Sequence, residues 1–265
     1  MKNIINPRNC PACGYTDSKE LSVYCFKEWK IVQCSQCSMV YLQNPASYEE
    51  LEVDYSWDTT FLEEENRRNR KRGVFKNVAK LIRIANYTLR KKDNDRYLKI
   101  LGPGKILDIG CGDVVRWQPP FIPFGIEISK ALAKSAKLKM QNLGGDCLQG
   151  PGAKTIWKFE KDQFDSIFMH SYLEHETEIN SMLSGSYRCL KPGGKIFIRV
   201  PNFNSLNRTI SQNNWPGLRY PDHVNYFTVG TLKAVSEKTN FNFQLINKHK
   251  IWLDDNIQAL LTKPI

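Results

Sequence analysis

No apolar run in this chain approaches the roughly 20 residues that a bilayer-spanning helix needs. The longest, such as Lys195-Ile196-Phe197-Ile198-Arg199-Val200, are strand-length and interrupted by charge. The N-terminus, Met1-Lys2-Asn3-Ile4-Ile5-Asn6-Pro7, has no apolar h-region. Export is therefore not expected, and a cytoplasmic protein is. Residues 44–98 contain no linker rich in Pro, Gly or Ser, so a loosely tethered appendage is not expected either. Histidine is sparse: His170, His175, His223 and His249 are the four in the chain.

What is present fits one medium α/β domain with an appendage. The chain has 265 residues, 41% hydrophobic and 11% aromatic, enough to bury a sizeable core. Its formal charge of +11 would suit a polyanionic partner. Much of that charge lies in Arg67-Arg68-Asn69-Arg70-Lys71-Arg72 and Arg90-Lys91-Lys92, where a solvated helix face and a helix C-terminus are the simpler accounts.

Eight cysteines in a cytoplasmic chain argue for metal or buried thiols before disulfides. Cys10-Pro11-Ala12-Cys13-Gly14 and Cys34-Ser35-Gln36-Cys37-Ser38 form two C-x2-C pairs. Each spacing lets one turn aim two sulfurs at one ion, and the runs Leu21–Phe26 and Trp29–Val32 between them suggest a hairpin. Four thiolates suit a closed, structural Zn²⁺ site. Gly14 permits the positive φ such turns often need, and Ser38 stands where the second might also have used glycine. For Cys25, Cys111, Cys147 and Cys189 a small buried hydrophobe is the expectation. Residues 1–45 are read as the zinc ribbon, 46–98 as a helical bridge or lid and 99–265 as the main domain. In the bridge, Ser47 and Glu50 form a capping pair, and Gly73 divides a helix-permissive stretch from Leu62 to Leu89.

The main domain alternates strand and helix. Strands are expected at Ile106–Ile109, Phe124–Ile128, a third ending in Asp146, Phe164–His170, Lys195–Val200, Phe241–Lys248 and Asn256–Thr262. Helices are expected at Lys130–Met140 after the N-cap Ser129, Glu176–Leu190 and Thr228–Lys238. That alternation predicts a three-layer α/β sandwich on a mostly parallel sheet. In such a sheet the ligand lies outside the carboxyl ends of the strands. Gly110 and Gly112 allow close backbone approach, with a following helix N-terminus to favour an anionic group. Glu127, ending the second strand, is placed to accept from two ribose hydroxyls, and Asp146 from an adenine amino group. Val115 fills the last position of G-x-G-x-x-G, which counts against a dinucleotide.

Leu107-Asp108-Ile109-Gly110-Cys111-Gly112, Gly125-Ile126-Glu127-Ile128-Ser129, Gly145-Asp146, Phe164-Asp165-Ser166-Ile167, Leu173-Glu174-His175 and Leu190-Lys191-Pro192-Gly193-Gly194 together resemble the class I S-adenosylmethionine-dependent methyltransferases. The resemblance covers roughly residues 100–265. It implies a Rossmann-like, doubly wound seven-stranded sheet whose last strand is antiparallel and inserted beside the fifth. It further implies that Asp108, Gly110 and Gly112 lie near the methionine part, Glu127 at the ribose, Asp146 at the adenine and His170 in the methyl-donor pocket. The paired knuckles, Val40-Tyr41-Leu42, Asp54-Tyr55-Ser56 and Pro221-Asp222-His223-Val224-Asn225-Tyr226-Phe227 resemble bacterial methyltransferases with an N-terminal zinc-binding segment, many of which act on sugars, natural products or polysaccharide precursors. Two departures stand out. Val114 replaces the third glycine of G-x-G-x-G, and Trp117-Gln118-Pro119-Pro120-Phe121-Ile122-Pro123 displaces most of the expected first helix.

An alcohol acceptor must lose a proton, which histidine is suited to take. His175 and His223, in loops on the ligand side, are the candidates for the base, one of them filling that role, with Glu174, Asp222 or Tyr226 orienting it or binding the acceptor. Tyr55, Trp57 and Trp215 are candidate lid residues. The expected acceptor is a small molecule or sugar. The alternatives are RNA, gripped by the ribbon and the Arg67–Arg72 run, and a non-catalytic binding module that has lost the donor site.

Overall fold

A computed structural model describes residues 7–46 and 94–265. The bridge features at Ser47, Glu50, Tyr55, Trp57, Gly73, Arg67–Arg72 and Arg90–Lys92 lie outside the described residues. Among the described residues no helix is long and apolar enough to cross a membrane.

The strands are β1 (Ser18–Glu20), β2 (Ile31–Cys34), β3 (Val40–Leu42), β4 (Gly104–Ile109), β5 (Phe121–Glu127), β6 (Asp146–Gln149), β7 (Phe164–His170), β8 (Leu190–Pro201), β9 (Asn225–Tyr226), β10 (Asn242–Leu245) and β11 (Asn256–Thr262). The helices are α1 (94–101), α2 (Lys130–Gln141), α3 (Ile179–Cys189), α4 (Leu206–Ser211) and α5 (Val229–Lys238). Seven strands form one sheet in the order β10-β11-β8-β7-β4-β5-β6. Strands β4 to β8 pair in parallel, and β11 runs antiparallel between β8 and β10. This is the doubly wound, reversed-last-strand sheet that the alternation and the resemblance imply.

Local chemistry sets the element ends. Ser129 caps α2 by accepting from the Leu132 N–H, and Thr228 caps α5 through a reciprocal box with Thr231. Helix α3 starts three residues later than its apolar period suggests. The Glu176 carboxylate there accepts from the Glu178 N–H, the Ala153 N–H and the Tyr172 hydroxyl, holding 176–178 as a turn. The run Leu21–Phe26 is not a strand: Ser22–Tyr24 form a single 3-10 turn, and the first strand lies before it.

The connection from β4 to β5 is the main departure from a standard doubly wound sheet. No helix forms between Ile109 and Phe121. The sheet face that helix would cover is filled instead by Trp117, fully buried, which meets Tyr97 of α1, Phe121 and Phe168 edge-on at 4.8–5.9 Å between ring centres. The Trp117 indole N–H donates to the Asp108 carboxylate at 2.9 Å, so the plug is also a polar latch. Trp117→Ala should lower folding stability by about 4 kcal/mol, read by chemical denaturation, because it combines a large cavity with a stranded carboxylate. A loss near zero would mean that the loop does not serve as the missing helix.

The N-terminal ribbon is not a separate body. Strands β1-β2-β3 continue into β9, making a four-stranded antiparallel sheet with the segment that follows β8. Tyr24, Ile31, Val40 and Leu42 of the ribbon share a small core with Phe203, Trp215, Val224 and Tyr226. Trp215 is thus a core residue, not an exposed lid. The Arg8 guanidinium fastens the junction, donating to the carbonyls of Leu42 (2.9 Å) and Val224 (2.5 Å) and to the Asn225 side chain (3.1 Å).

Candidate active site

Gly110 and Gly112 follow β4 with φ of +69° and +60°. A Cβ on Gly110 would come within 2.9 Å of the Tyr172 ring, whereas one on Gly112 would meet nothing within 4 Å. Gly112 therefore borders open space at the carboxyl end of the sheet. Glu127 ends β5 beside it, and its two carboxylate oxygens accept from the Gly112 N–H (2.8 Å) and the Ser129 N–H (2.9 Å). Each oxygen keeps a further lone pair for a ligand hydroxyl. Val114 is nearly half exposed and its side chain packs in none of the buried clusters, so the turn bends without a third glycine.

Asp108 lies beneath, almost fully buried. It accepts from Trp117 and pairs with the Arg116 Nε at 3.4 Å. Burial raises its pKa, against the pull of Arg116. The expected helix N-terminus after the glycine turn does not exist. Arg116 brings a positive charge near this point, with its guanidinium 5.0 Å over the Phe168 ring.

Asp146 does not end the third strand; it opens β6, and the strand-end reading is corrected. Gly144 and Gly145 close the turn after α2, with the Gly145 N–H donating to the Met140 carbonyl, and a Cβ on Gly145 would overlap the Pro123 carbonyl oxygen. The strand can begin only after that close approach. Asp146 pairs in register with Phe124, and Gln149 pairs with Glu127. Three residues at about 3.3 Å each put Asp146 roughly 10 Å from the level of Glu127. Its carboxylate faces Lys137 at 3.1 Å instead. The position at the ligand end of β6 belongs to Gln149 and Gly150, whose N–H donates to the Glu127 carbonyl.

His170 ends β7 with its ring stacked on Phe168, 5.7 Å between centres. Burial, then Arg199 and Arg116, push its pKa down to about 4, so the imidazole is neutral at pH 7. The chain then turns through Ser171 and Tyr172. The Tyr172 ring faces Gly110, and its hydroxyl reaches Glu176 at 2.6 Å. Tyr172 escaped sequence reading because it lies outside the strand and in no polar motif.

Glu174, His175 and His223 converge, with one ligand-capable atom from each lying within 4.8 Å of the others. Their rings meet edge to face at 4.7 Å. His175 Nδ1 lies 2.9 Å from the Asp222 carbonyl and His223 Nδ1 lies 2.8 Å from the Gly217 carbonyl. A carbonyl only accepts, so each Nδ1 carries the proton and each Nε2 keeps a lone pair. Burial, then Arg219, pushes His175 down to about 4; burial, then His175 and Arg219, lowers His223 well below its ordinary value. Burial raises Glu174 to about 8. Asp222 itself turns to Arg219 at 2.8 Å, and Tyr226 is buried in the ribbon core. It is the Asp222 main-chain carbonyl that holds the His175 ring. His249 lies apart, on a single 3-10 turn.

At the other end, Cys10, Cys13, Cys34 and Cys37 bring their sulfurs together within 4.8 Å, with Cys10–Cys37 at 3.5 Å and Cys13–Cys34 at 3.6 Å. Gly14 and Ser38 both take positive φ, +84° and +61°. Ser38 therefore adopts the glycine-favouring conformation without being glycine. Cys111, Cys147 and Cys189 are buried in the main body, as small apolar groups.

A parallel sheet with a reversed last strand, a glycine turn after its first strand and a carboxylate ending the next define a nucleoside-binding α/β enzyme. The sequence profile described as a methyltransferase domain matches residues 67–245, and the chain belongs to that family. Its described residues carry the sheet order and reversed last strand of that domain. The ubiquinone biosynthesis O-methyltransferase of Pseudomonas entomophila is 29% identical over 109 residues, 39% of this chain and 45% of that protein. An uncharacterized protein of Methanocaldococcus jannaschii is 29% identical over 125 residues, 46% of this chain and 56% of its own. The chain spans about half the length of the curated relatives it matches. Among solved structures, the YcgJ protein of Bacillus subtilis superposes with a TM-score of 0.53 at 16% identity, covering 66% of this chain and 99% of that one. A methyltransferase from Thermotoga maritima, described as a possible histamine N-methyltransferase, gives 0.50 at 20% identity over 71% and 96%. At these identities the likeness concerns the fold alone.

The His170 shift carries a stability consequence. Its folded pKa, about 4, lies below the ordinary 6.5, so the unfolded chain takes up a proton first as pH falls. The stability His170 contributes is complete above 6.5 and lost as pH drops toward 4. His170→Phe should flatten that part of the pH–stability curve, measured by denaturant melts. Superimposable slopes for both proteins would show that the imidazole titrates normally.

Proposed function

We propose that the chain transfers the methyl group to an oxygen of a small-molecule acceptor, such as a sugar or glycan precursor, activated at His175 and His223. The observation that carries this reading is the tautomer pattern: two neutral imidazoles, each with Nδ1–H spent on a main-chain carbonyl and Nε2 open. A partial relative is itself named an O-methyltransferase, which points the same way.

The residues around Gly112 fit a nucleoside donor. Open space borders Gly112, and the Glu127 carboxylate is fixed by two N–H groups with lone pairs left for ribose hydroxyls. The adenine side is assigned to the ligand end of β6, at Gln149 and Gly150, in place of Asp146. Asp108, Gly110 and Arg116 border the methionyl end, and His170 lines the pocket as a neutral ring. When bound, S-adenosylmethionine supplies the methyl group from a sulfonium centre. The protein's part is alignment for in-line attack, which accounts for much of the rate in such displacements, together with removal of the acceptor proton at an Nε2. His175 is half-buried and the more accessible of the two; His223 lies behind it. His175→Ala and His223→Ala should each lower kcat by roughly 10²-fold or more while donor affinity by calorimetry stays within a few-fold. Full turnover in both variants would refute the assignment.

The four-cysteine cluster fits a structural zinc ion. Tetrahedral Zn–S bonds of about 2.3 Å place sulfurs about 3.8 Å apart, close to the two shortest separations here. With no open position it organises the ribbon and takes no part in transfer, so the ribbon (1–45), the bridge (46–98) and the methyltransferase domain (99–265) are assigned as a structural element, a connection and the catalytic body. One zinc ion held by thiolates is expected per chain. Cys10→Ser should release it and lower the melting temperature; retention of zinc by that variant would contradict the site. The RNA reading depends on Arg67–Arg72, and no observation among the described residues favours it.

A further inference from the structure

The Glu174–His175–His223 cluster has features that a pair of proton acceptors does not need. Glu174 is 1% exposed, yet its Oε2 is buried without a hydrogen-bond partner. An unpartnered carboxylate oxygen in a low-dielectric interior costs several kcal/mol unless it is neutralised or binds a cation. One oxygen of this carboxylate lies within 4.8 Å of a ring nitrogen of each imidazole, and both Nδ1 atoms are tied to main-chain carbonyls. A histidine whose Nδ1–H is tied to a carbonyl, with Nε2 directed elsewhere, is the arrangement that orients metal ligands.

We infer that Glu174, His175 and His223 form a second metal site, for a first-row divalent transition ion. Two imidazoles and one carboxylate suit zinc, iron or nickel better than magnesium or calcium. Bonds of 2.0–2.1 Å place tetrahedral ligand atoms about 3.3 Å apart, so the three groups must close by at most about 1.5 Å, within the range of side-chain torsions. The scaffold is already rigid. The Glu174 carbonyl accepts from the Val224 and Asn225 N–H groups, and the Asn225 amide donates to the Leu173 and Glu176 carbonyls at 2.9 and 2.6 Å. The two ligand-bearing segments are thus zipped together on either side of the cluster. Three protein ligands leave a coordination position open, unlike the closed four-thiolate site. Because His175 is half-buried, that position is assigned to an oxygen donor of the acceptor. This rests on the placement of the acceptor at the histidine pair and revises how its proton is lost: the acceptor class becomes a hydroxyl able to ligate a metal, and the bound ion would lower the pKa of that hydroxyl in place of direct transfer to an Nε2.

The test is metal stoichiometry and spectroscopy on the full chain produced in cobalt-supplemented medium. Thiolate-to-cobalt charge-transfer bands report the cysteine site. The inferred site adds a second cobalt per chain with only weak ligand-field bands from nitrogen and oxygen donors. Glu174→Gln and His223→Gln should each drop the count from two to one with the thiolate bands intact, which also shows that the variant folds. One cobalt per chain in the parent protein, or two in both variants, overturns the inference. Donor binding by calorimetry separates the two claims. A single-metal protein that still binds donor and turns over refutes only the second site. A two-metal protein whose turnover is indifferent to loss of the second ion confirms the site and removes its link to the acceptor.

Discussion

One buried amide holds the histidine side of the molecule together. Asn225 is 1% exposed and uses its side chain in three directions: two N–H donations to the carbonyls of Leu173 and Glu176, and acceptance from Arg8. Its main chain meanwhile pairs with Tyr41 of β3 and donates to the Glu174 carbonyl. A buried amide is costly unless fully satisfied; here its satisfaction forces the ribbon, the loop after β7 and the segment after β8 into one arrangement. Those are the segments that carry Cys34 and Cys37, His175 and His223. The distance in sequence between knuckles and histidines is cancelled by a single node.

The donor side follows a different constraint. A doubly wound sheet needs both faces covered, and this chain omits the helix between its first two parallel strands. Prolines 119 and 120 prevent that helix, and Trp117 replaces its apolar face with one side chain against Phe168 and Tyr97. The substitution also alters the electrostatics. A helix N-terminus would have offered main-chain N–H groups to an anion; in its place Arg116 brings a full charge, shared with Asp108. Packing and ligand recognition thus change together through one short loop.

The sheet was legible because its signals are local and periodic. Phe164–His170 and Asn256–Thr262 were read to the residue, since each carries a short apolar stretch of strand length, Ile167–Met169 and Ala259–Leu261, flanked by polar residues. The C-x2-C pairs were equally legible, as spacing alone brings each pair of sulfurs to one turn. Asp146 was misplaced for a reason sequence cannot supply. Two glycines before a carboxylate read equally well as the end of one strand or as the turn before the next, and the overlap of Gly145 with Pro123 decides between them. Motif membership places Asp222 and Tyr226 near a histidine but does not say which way they point: the Asp222 carboxylate meets Arg219, and Tyr226 is buried in the ribbon core. Tyr172 and Asn225 carried no signal because their importance is entirely tertiary.

The ribbon acts through its main chain. Cys34 ends β2 and Cys37 precedes β3, with Cys10 and Cys13 ahead of β1, while the pairing of β3 with β9 begins one residue beyond Val224, itself next to His223. Loss of order at the knuckles would propagate through β2 and β3 to β9 by main-chain hydrogen bonds, not by any side-chain relay. The Nδ1 of His223 is held by the Gly217 carbonyl and that of His175 by the Asp222 carbonyl, both within the segment β9 terminates. A cysteine cluster with no chemistry of its own therefore fixes the orientation of both imidazoles. The ribbon is part of the scaffold around the two histidines by construction, since it shares a sheet and a core with residues 203–226.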